Sequence, residues 1–305
     1  MIHARNAGGE ASLPVWHSDR QSLTSELAAE VAAFRDEAAR RLASEGPLAL
    51  RAQLIESLDL DPLAAGVLAE LIESQERMSQ SPRATELLIE EFPTLDEPGL
   101  TYAFHAPLNR AACEVLGRVV AARLGRRFGR DLALQVADLG WSIRMPEDTS
   151  FSAADLDGLL AIDDFENDAI EGLDRGDLLA QRFRYVAATG FMVLKNPERG
   201  RKVRVGGLNW VSSRLYPLVK AACPTHPLLR ETRREVLEDL LDVPYALRWL
   251  QTGPSFVLRR LQTISPFAAA WIMASADEAL RFESPASALM RLHARMTTSG
   301  QGEVA

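Results

Sequence analysis

Between Arg182 and Lys220 the chain carries nine basic side chains and one acid, Glu198. The cations are Arg182, Arg184, Lys195, Arg199, Arg201, Lys202, Arg204, Arg214 and Lys220, and they include all three lysines of a chain whose formal net charge is -8. Trp210 follows Gly206-Gly207 and stands among these charges, not in an apolar run. Cations hold phosphates and an exposed indole stacks on a base, so a basic groove with an aromatic plate is a minimal kit for single-stranded nucleic acid. The plain alternative is a solvated charged loop whose tryptophan is tucked into the core.

Other chemistry finds less support. The five histidines, His3, His17, His105, His226 and His293, and the two cysteines, Cys113 and Cys223, form no His-x3-His or Cys-x2-Cys pair, so no zinc site is expected. No GxSxG nucleophile elbow is present. His105, at a strand end beside Pro107 and Arg110, has the chemistry to touch a phosphate, but such a residue more often caps local backbone. Residues 147–177 are rich in Asp and Glu, yet they lack the Asp-x-Asp-x-Asp-Gly spacing of a calcium loop and read as a helix capped by Ser152 with a solvated acidic face. Glu235 and Asp239 share a helix face at i, i+4, where pairing with Arg233 or Arg234 is the simpler reading than acid–base work. The cysteines read as small buried residues in a reducing compartment.

The elements that must position the basic stretch follow from apolar periodicity. Leu27, Val31, Phe34, Ala38 and Leu42 recur at helical spacing, and Gly46-Pro47 stops that helix. A second helix is expected from Pro47 to Leu58. A third opens on Asp61-Pro62, an N-cap followed by proline in the first turn, with Leu63, Val67, Leu68, Leu71 and Ile72 as its core face. TELLIEEF (85–92) and LTYAFHA (100–106) read as strands, as do DLALQVAD (131–138) and WSIRM (141–145). A long amphipathic helix from about Leu108 to Phe128 lies between the two strand pairs. Helices are expected on both sides of the basic loop, from Asp177 to Thr189 and from Trp210 onward, and again over 225–253. SFVLRRLQTIS (255–265) reads as a strand near an edge, because Arg259 and Arg260 interrupt its apolar run. Trp16, Trp141, Trp249 and Trp271 fall in strand or helix patterns and read as core or edge packing.

These readings give an α+β fold that is mostly helical: a helical bundle packed with a small antiparallel sheet and a long amphipathic helix, then a helical DNA-gripping part. The expected division is 1–20 as the tail of a preceding sheet (LPVW, 13–16, is its one strand) or a linker, 21–80 as a helical subdomain, 81–147 as an α+β subdomain, 148–275 as a helical nucleic-acid-binding subdomain, and 276–305 as a C-terminal helix and disordered tail. With 305 residues, 47% hydrophobic and 25% charged, the composition is that of an ordinary folded protein. No apolar run approaches the roughly 18 residues of a membrane span, and MIHARNAGGEAS lacks a signal peptide's apolar core, so a cytoplasmic location is expected.

Several stretches taken together resemble the DEAD/H-associated region that lies C-terminal to the motor in Lhr-type superfamily 2 helicases. They are TYAFHAPLNRAACEVLG, QVADLGWSI, LLAQRFRYVA, GFMVLKNPERGRKVRVGGLNWVSSRL, RREVLEDLLD and SPFAAAW, with LPVWHSDRQSLTSEL before them. The resemblance covers about residues 12–275. It implies a module that grips the tracking strand of an ATP-dependent 3′–5′ helicase acting on DNA and RNA:DNA hybrids, linked to DNA repair. It places Trp210 at the position of a base-stacking tryptophan and, in kind only, Arg182, Arg184, Lys195, Arg201, Lys202, Arg204 and Arg214 on the strand-contacting surface. The motor is missing from this sequence: no GxxxxGK[ST] occurs, no lysine follows a glycine, and Asp277-Glu278 continues Ala-Leu instead of completing a DExH box. No ATPase activity is therefore expected from this chain alone, and no cofactor in it, with ATP and Mg entering only through a separate motor: the chain is either a fragment or a stand-alone protein that works with a RecA-like motor on another chain. Two rival readings are a DNA glycosylase-like repair enzyme and a protein-interaction subunit that never touches DNA.

Overall fold

A computed structural model describes residues 22–95, 99–128, 132–145, 153–176, 178–193 and 214–275. Three helices open the chain: α1 (Ser25–Glu45), α2 (Pro47–Leu58) and α3 (Pro62–Met78). Local chemistry sets their ends. Thr24 caps α1 by accepting the Leu27 N–H at 3.2 Å, and Gly46, at φ 85°, turns the chain into α2. The Asp61 carboxylate accepts the N–H groups of Leu63 and Ala64 at 2.9 and 3.1 Å, satisfying orphan donors at the start of α3.

The expected core face of α3 is only half right. Ala65, Ala69, Ile72 and Gln75 are buried, whereas Leu63, Val67 and Leu71 are 77%, 61% and 38% exposed. The helix has two apolar faces. The small residues let it approach α2 closely, and Gln75 is drawn inward by a buried polar network, which leaves the Leu63–Val67–Leu71 stripe outward.

The strands are β1 (Glu86–Pro93), β2 (Leu100–His105), β3 (Ala133–Ala137), β4 (Gly140–Met145) and β5 (Ser255–Arg260), in the order β3-β4-β2-β1-β5. The first four pair antiparallel, as expected. β5 adds itself to β1 in parallel, with Glu86 opposite Ser255 and Glu91 opposite Arg260, so the sheet is mixed and not purely antiparallel. Its edge position was legible from Arg259 and Arg260; its partner and direction were not, because a parallel partner arrives through a long crossover.

Helix α4 (Arg110–Phe128) lies across β3 and β4 and also meets the helices Phe165–Arg175 and Val243–Gln251. Ala112, Cys113, Val115, Leu116, Val119, Val120 and Leu124 are all buried. It is thus a central helix covered on several faces and not the one-faced amphipathic helix expected. Trp141 is fully buried beneath it, stacked on Phe104 with centroids 4.9 Å apart and planes 7° apart.

Then follow α5 (Ala153–Leu159), α6 (Phe165–Arg175), α7 (Leu178–Thr189), α8 (Tyr216–Ala222), α9 (Pro227–Arg234), α10 (Val243–Gln251) and α11 (Pro266–Ser275). A π-helical turn, Glu235–Leu240, extends α9 before the break at Leu241-Asp242. The predicted LPVW strand, the Ser152 cap and the tail beyond residue 275 lie outside the described residues. Among the described residues no helix is long and apolar enough to cross a membrane.

Two polar knots tie distant elements. Glu90 on β1 is bonded by His105 on β2 (2.9 Å), Gln75 on α3 (3.0 Å) and Ser265 before α11 (2.6 Å), and Gln75 in turn accepts the Phe267 N–H at 3.0 Å. In the turn between β3 and β4, Asp138 accepts from the N–H groups of Leu23 and Arg110, and the Tyr245 hydroxyl donates to the carbonyls of Ser25 and Pro107.

Candidate nucleic-acid interface

α7 carries the first part of the basic stretch. Leu179, Phe183, Val186 and Ala187 form its buried side, and the Phe183 ring packs 5.4 Å from that of Tyr216 on α8. This anchoring leaves Tyr185 on the outward side, 44% exposed. The Arg184 guanidinium lies 4.8 Å from the Tyr185 ring centroid and donates to its hydroxyl at 2.9 Å. The Arg182 guanidinium stands 5.9 Å from the same ring and pairs with Glu235 on the π-helical turn. An aromatic face flanked by two guanidiniums is therefore held at the helix surface.

The predicted residues divide into three groups. Arg182 and Arg184 come together on Tyr185. Arg214 is exposed just before α8. Lys195, Arg199, Arg201, Lys202, Arg204 and Trp210 lie outside the described residues. Lys220 is tied to Asp174 at 3.1 Å, and Arg233 reaches the same carboxylate at 3.3 Å. Arg182 shares its charge with Glu235, so Arg184 and Arg214 are the better placed of the described cations to meet phosphate. Sequence reasoning passed over Tyr185, although Arg-Phe-Arg-Tyr already placed a ring beside two arginines.

The acidic segment is held mainly by α4. Asp168 on α6 is 4% exposed and is bonded by Arg123, at 2.6 Å, and by Arg126, both on α4. Arg127 pairs with Asp155 at 2.9 Å, and Glu171 takes Arg175 at 2.6 Å and Arg126 at 3.4 Å. The acidic face expected to be solvated is so only in part: Asp163, Asp164 and Glu166 are exposed, whereas Asp155, Asp168 and Glu171 are matched to arginines of α4. Cations near an apolar core need partners, and α6 supplies them. Glu235 and Asp239 likewise pair with arginines, the former with Arg182 and the latter with Arg234 at 3.8 Å.

The remaining candidates are structural. His105 is 1% exposed and its bond goes to Glu90, so it neither meets phosphate nor caps local backbone. Burial opposes the charge on Glu90, but the facing His105 charge and the bonds from His105 and Ser265 outweigh it and hold the carboxyl below the ordinary glutamate value. Cys113 is buried, which pushes its thiol far up, while Cys223 is exposed and not buried as expected. Among the described residues no group of three or more His, Cys, Asp or Glu is placed to hold a metal ion.

A family model described as DEAD/H associated matches residues 81–268. The ATP-dependent helicase Lhr-Core protein 2 of Thermococcus barophilus is 29% identical over 293 residues, covering 95% of this chain and 33% of the relative. The ATP-dependent helicase Lhr-Core of Methanocaldococcus jannaschii is 28% identical, covering 93% of this chain and 32% of the relative. Among solved structures, the Mycobacterium smegmatis helicase Lhr bound to ssDNA and AMP-PNP is similar with a TM-score of 0.68 and 25% identity, over 86% of this chain and 33% of that one. The chain thus spans about a third of the length of the relatives it matches.

Proposed function

The chain belongs to the DEAD/H associated family, and we propose that it is the strand-gripping module of an Lhr-type ATP-dependent 3′–5′ helicase, holding single-stranded DNA by base stacking and phosphate contacts. The observation that carries the reading is the cation-flanked ring of Tyr185 on α7, directly ahead of the basic stretch with Trp210. The similar Lhr structure was solved with single-stranded DNA. Phosphates would meet Arg184, Arg214 and the basic residues Lys195, Arg201, Lys202 and Arg204, with Arg182 orienting the ring. Trp210 would stack on a base.

Fluorescence-polarisation titration of a short single-stranded DNA at two salt concentrations tests this. Trp210→Ala is expected to weaken binding by about 1–3 kcal/mol, the value of one stacked base, without loss of fold. A variant that unfolds makes Trp210 a core residue instead. Removing Arg201, Lys202 or Arg204 is expected to weaken binding to all sequences alike and lower the salt slope by about 0.7 for each phosphate no longer neutralised. An unchanged slope removes that residue from the groove.

The glycosylase alternative needs a poised carboxylate. Asp155, Asp168, Glu171 and Asp174 are all engaged by Arg or Lys, which argues against them in that role. The interaction-subunit alternative has one feature in its favour, and it is compatible with DNA gripping. The outward stripe of Leu63, Val67 and Leu71, with Leu48 81% exposed on α2, is an apolar face that the described chain does not cover. We assign it to a RecA-like motor, which the matched relatives would carry in the two thirds of their length beyond this chain. Val67→Asp should leave thermal stability unchanged and abolish co-purification with a separately expressed Lhr motor. Undiminished co-purification would move the docking face elsewhere.

A further inference from the structure

We infer that Lys220, Arg233 and the Tyr216 hydroxyl form a seat for one backbone phosphate of the bound single strand. The inference rests on the proposed strand-gripping role and adds to it a phosphate contact outside the basic loop. Three helices converge here. The Asp174 carboxylate, near the end of α6, takes Lys220 of α8 at 3.1 Å and Arg233 of α9 at 3.3 Å. Two cations thus share one acid, and a positive charge is left over. Both cations are 36% exposed and Asp174 is 26% exposed, so the cluster opens to solvent.

Tyr216 supplies the observation that points to a ligand. It is only 9% exposed, and its ring is fixed against Phe183. The Lys220 ammonium lies 5.9 Å from the ring centroid. Burial, then the nearby Asp174 charge, pushes the hydroxyl above its ordinary value, with Arg233 acting the other way. The hydroxyl is therefore a protonated donor at neutral pH, and it feels both charges. Yet no group among the described residues accepts its proton. A nearly buried donor beside two cations is matched by an acceptor that is also an anion, and a phosphodiester oxygen is both.

Structural pairing is the plain alternative, but ion pairs this exposed contribute little to stability. Charge matching next door on α9 also runs the other way: Arg234 meets Glu231, Glu238 and Asp239. Acids outnumber the cation there and would turn phosphate away, whereas at Asp174 the cations outnumber the acid. The seat adjoins the basic stretch, since exposed Arg214 stands two residues before Tyr216. Asp174 holds the ammonium and the guanidinium in place before the strand arrives, which lowers the ordering cost of binding.

The test titrates a fluorescein-labelled thymidine oligonucleotide by polarisation across a salt series, with the full chain and four variants, and records melting temperatures. Tyr216→Phe keeps the ring on Phe183 and removes only an unpaired hydroxyl, so it should melt like wild type and bind about 10-fold more weakly. Lys220→Gln and Arg233→Gln should each weaken binding and lower the salt slope by about 0.7. Asp174→Asn breaks the same ion pairs but removes the competing acid, so it should bind about 2- to 5-fold more tightly than wild type. Tyr216→Phe binding at wild-type strength overturns the seat and leaves the strand-gripping reading in place. So does a shift of affinity in the same direction in Asp174→Asn and Lys220→Gln, the mark of a merely structural cluster. Lys220→Gln that melts lower with an unchanged salt slope overturns the seat likewise. Wild-type protein without salt-dependent binding overturns both readings.

Discussion

Glu90→Ala is expected to cost about 3–5 kcal/mol of folding stability, because it empties a fully buried site and leaves three buried polar groups without their partner. Glu90 is fully buried, and its carboxylate collects bonds from three elements: β2 through His105, α3 through Gln75 and the start of α11 through Ser265. Alanine strands all three donors in a dry interior, each at the cost of desolvation without a partner. Glu90→Gln, which keeps the shape, isolates the charge. The pH dependence has a definite sign. The folded carboxyl is held below its ordinary value, so the unfolded chain binds more protons there, and this stabilisation is present above the unfolded glutamate range and lost as pH falls through the folded value. Urea unfolding of wild type and Glu90→Gln across the acid range should therefore show curves that converge as pH drops. An alanine variant within about 1 kcal/mol of wild type would mean that the network is better hydrated than its burial implies.

Trp141→Ala should be comparably severe, about 3–5 kcal/mol, the range for deleting a large buried aromatic. The indole joins the sheet to the central helix. It stacks on Phe104 below, and above it α4 presents Gly117, where a Cβ would lie only 3.2 Å from the ring. The helix has come so close that Gly117 offers no side chain of its own to fill the hole, and a residual cavity adds to the lost transfer free energy. Guanidinium chloride unfolding should show a lower midpoint at an unchanged slope. Single-strand affinity, measured where the variant is still folded, should be retained, because α7 is carried by α6, α8 and α9 and not by the sheet. A destabilisation of less than about 1 kcal/mol would show that the site relaxes freely. A matching drop in DNA affinity would place the strand path over the sheet.

Sequence alone was enough for features whose causes are local. Asp61 and Gly46 set helix ends through bonds and dihedrals a few residues away. Alternating apolar residues fixed β1 to β4, and two arginines put β5 at an edge. The basic stretch was legible because nine cations in an acidic chain need no three-dimensional information to be noticed. Tertiary structure decided everything that depends on a distant partner. Which of two apolar faces α3 buries follows from α2 and Glu90, and the parallel pairing of β5 with β1 joins segments far apart in the chain. Asp168 is buried because Arg123, 45 residues before it, arrives on α4, and Arg182 is half neutralised by Glu235, 53 residues on. Caps, periods and charge contrasts act over a turn or two of chain and are written in neighbouring residues, whereas burial and ion pairing are settled by whichever surface the folded chain brings alongside.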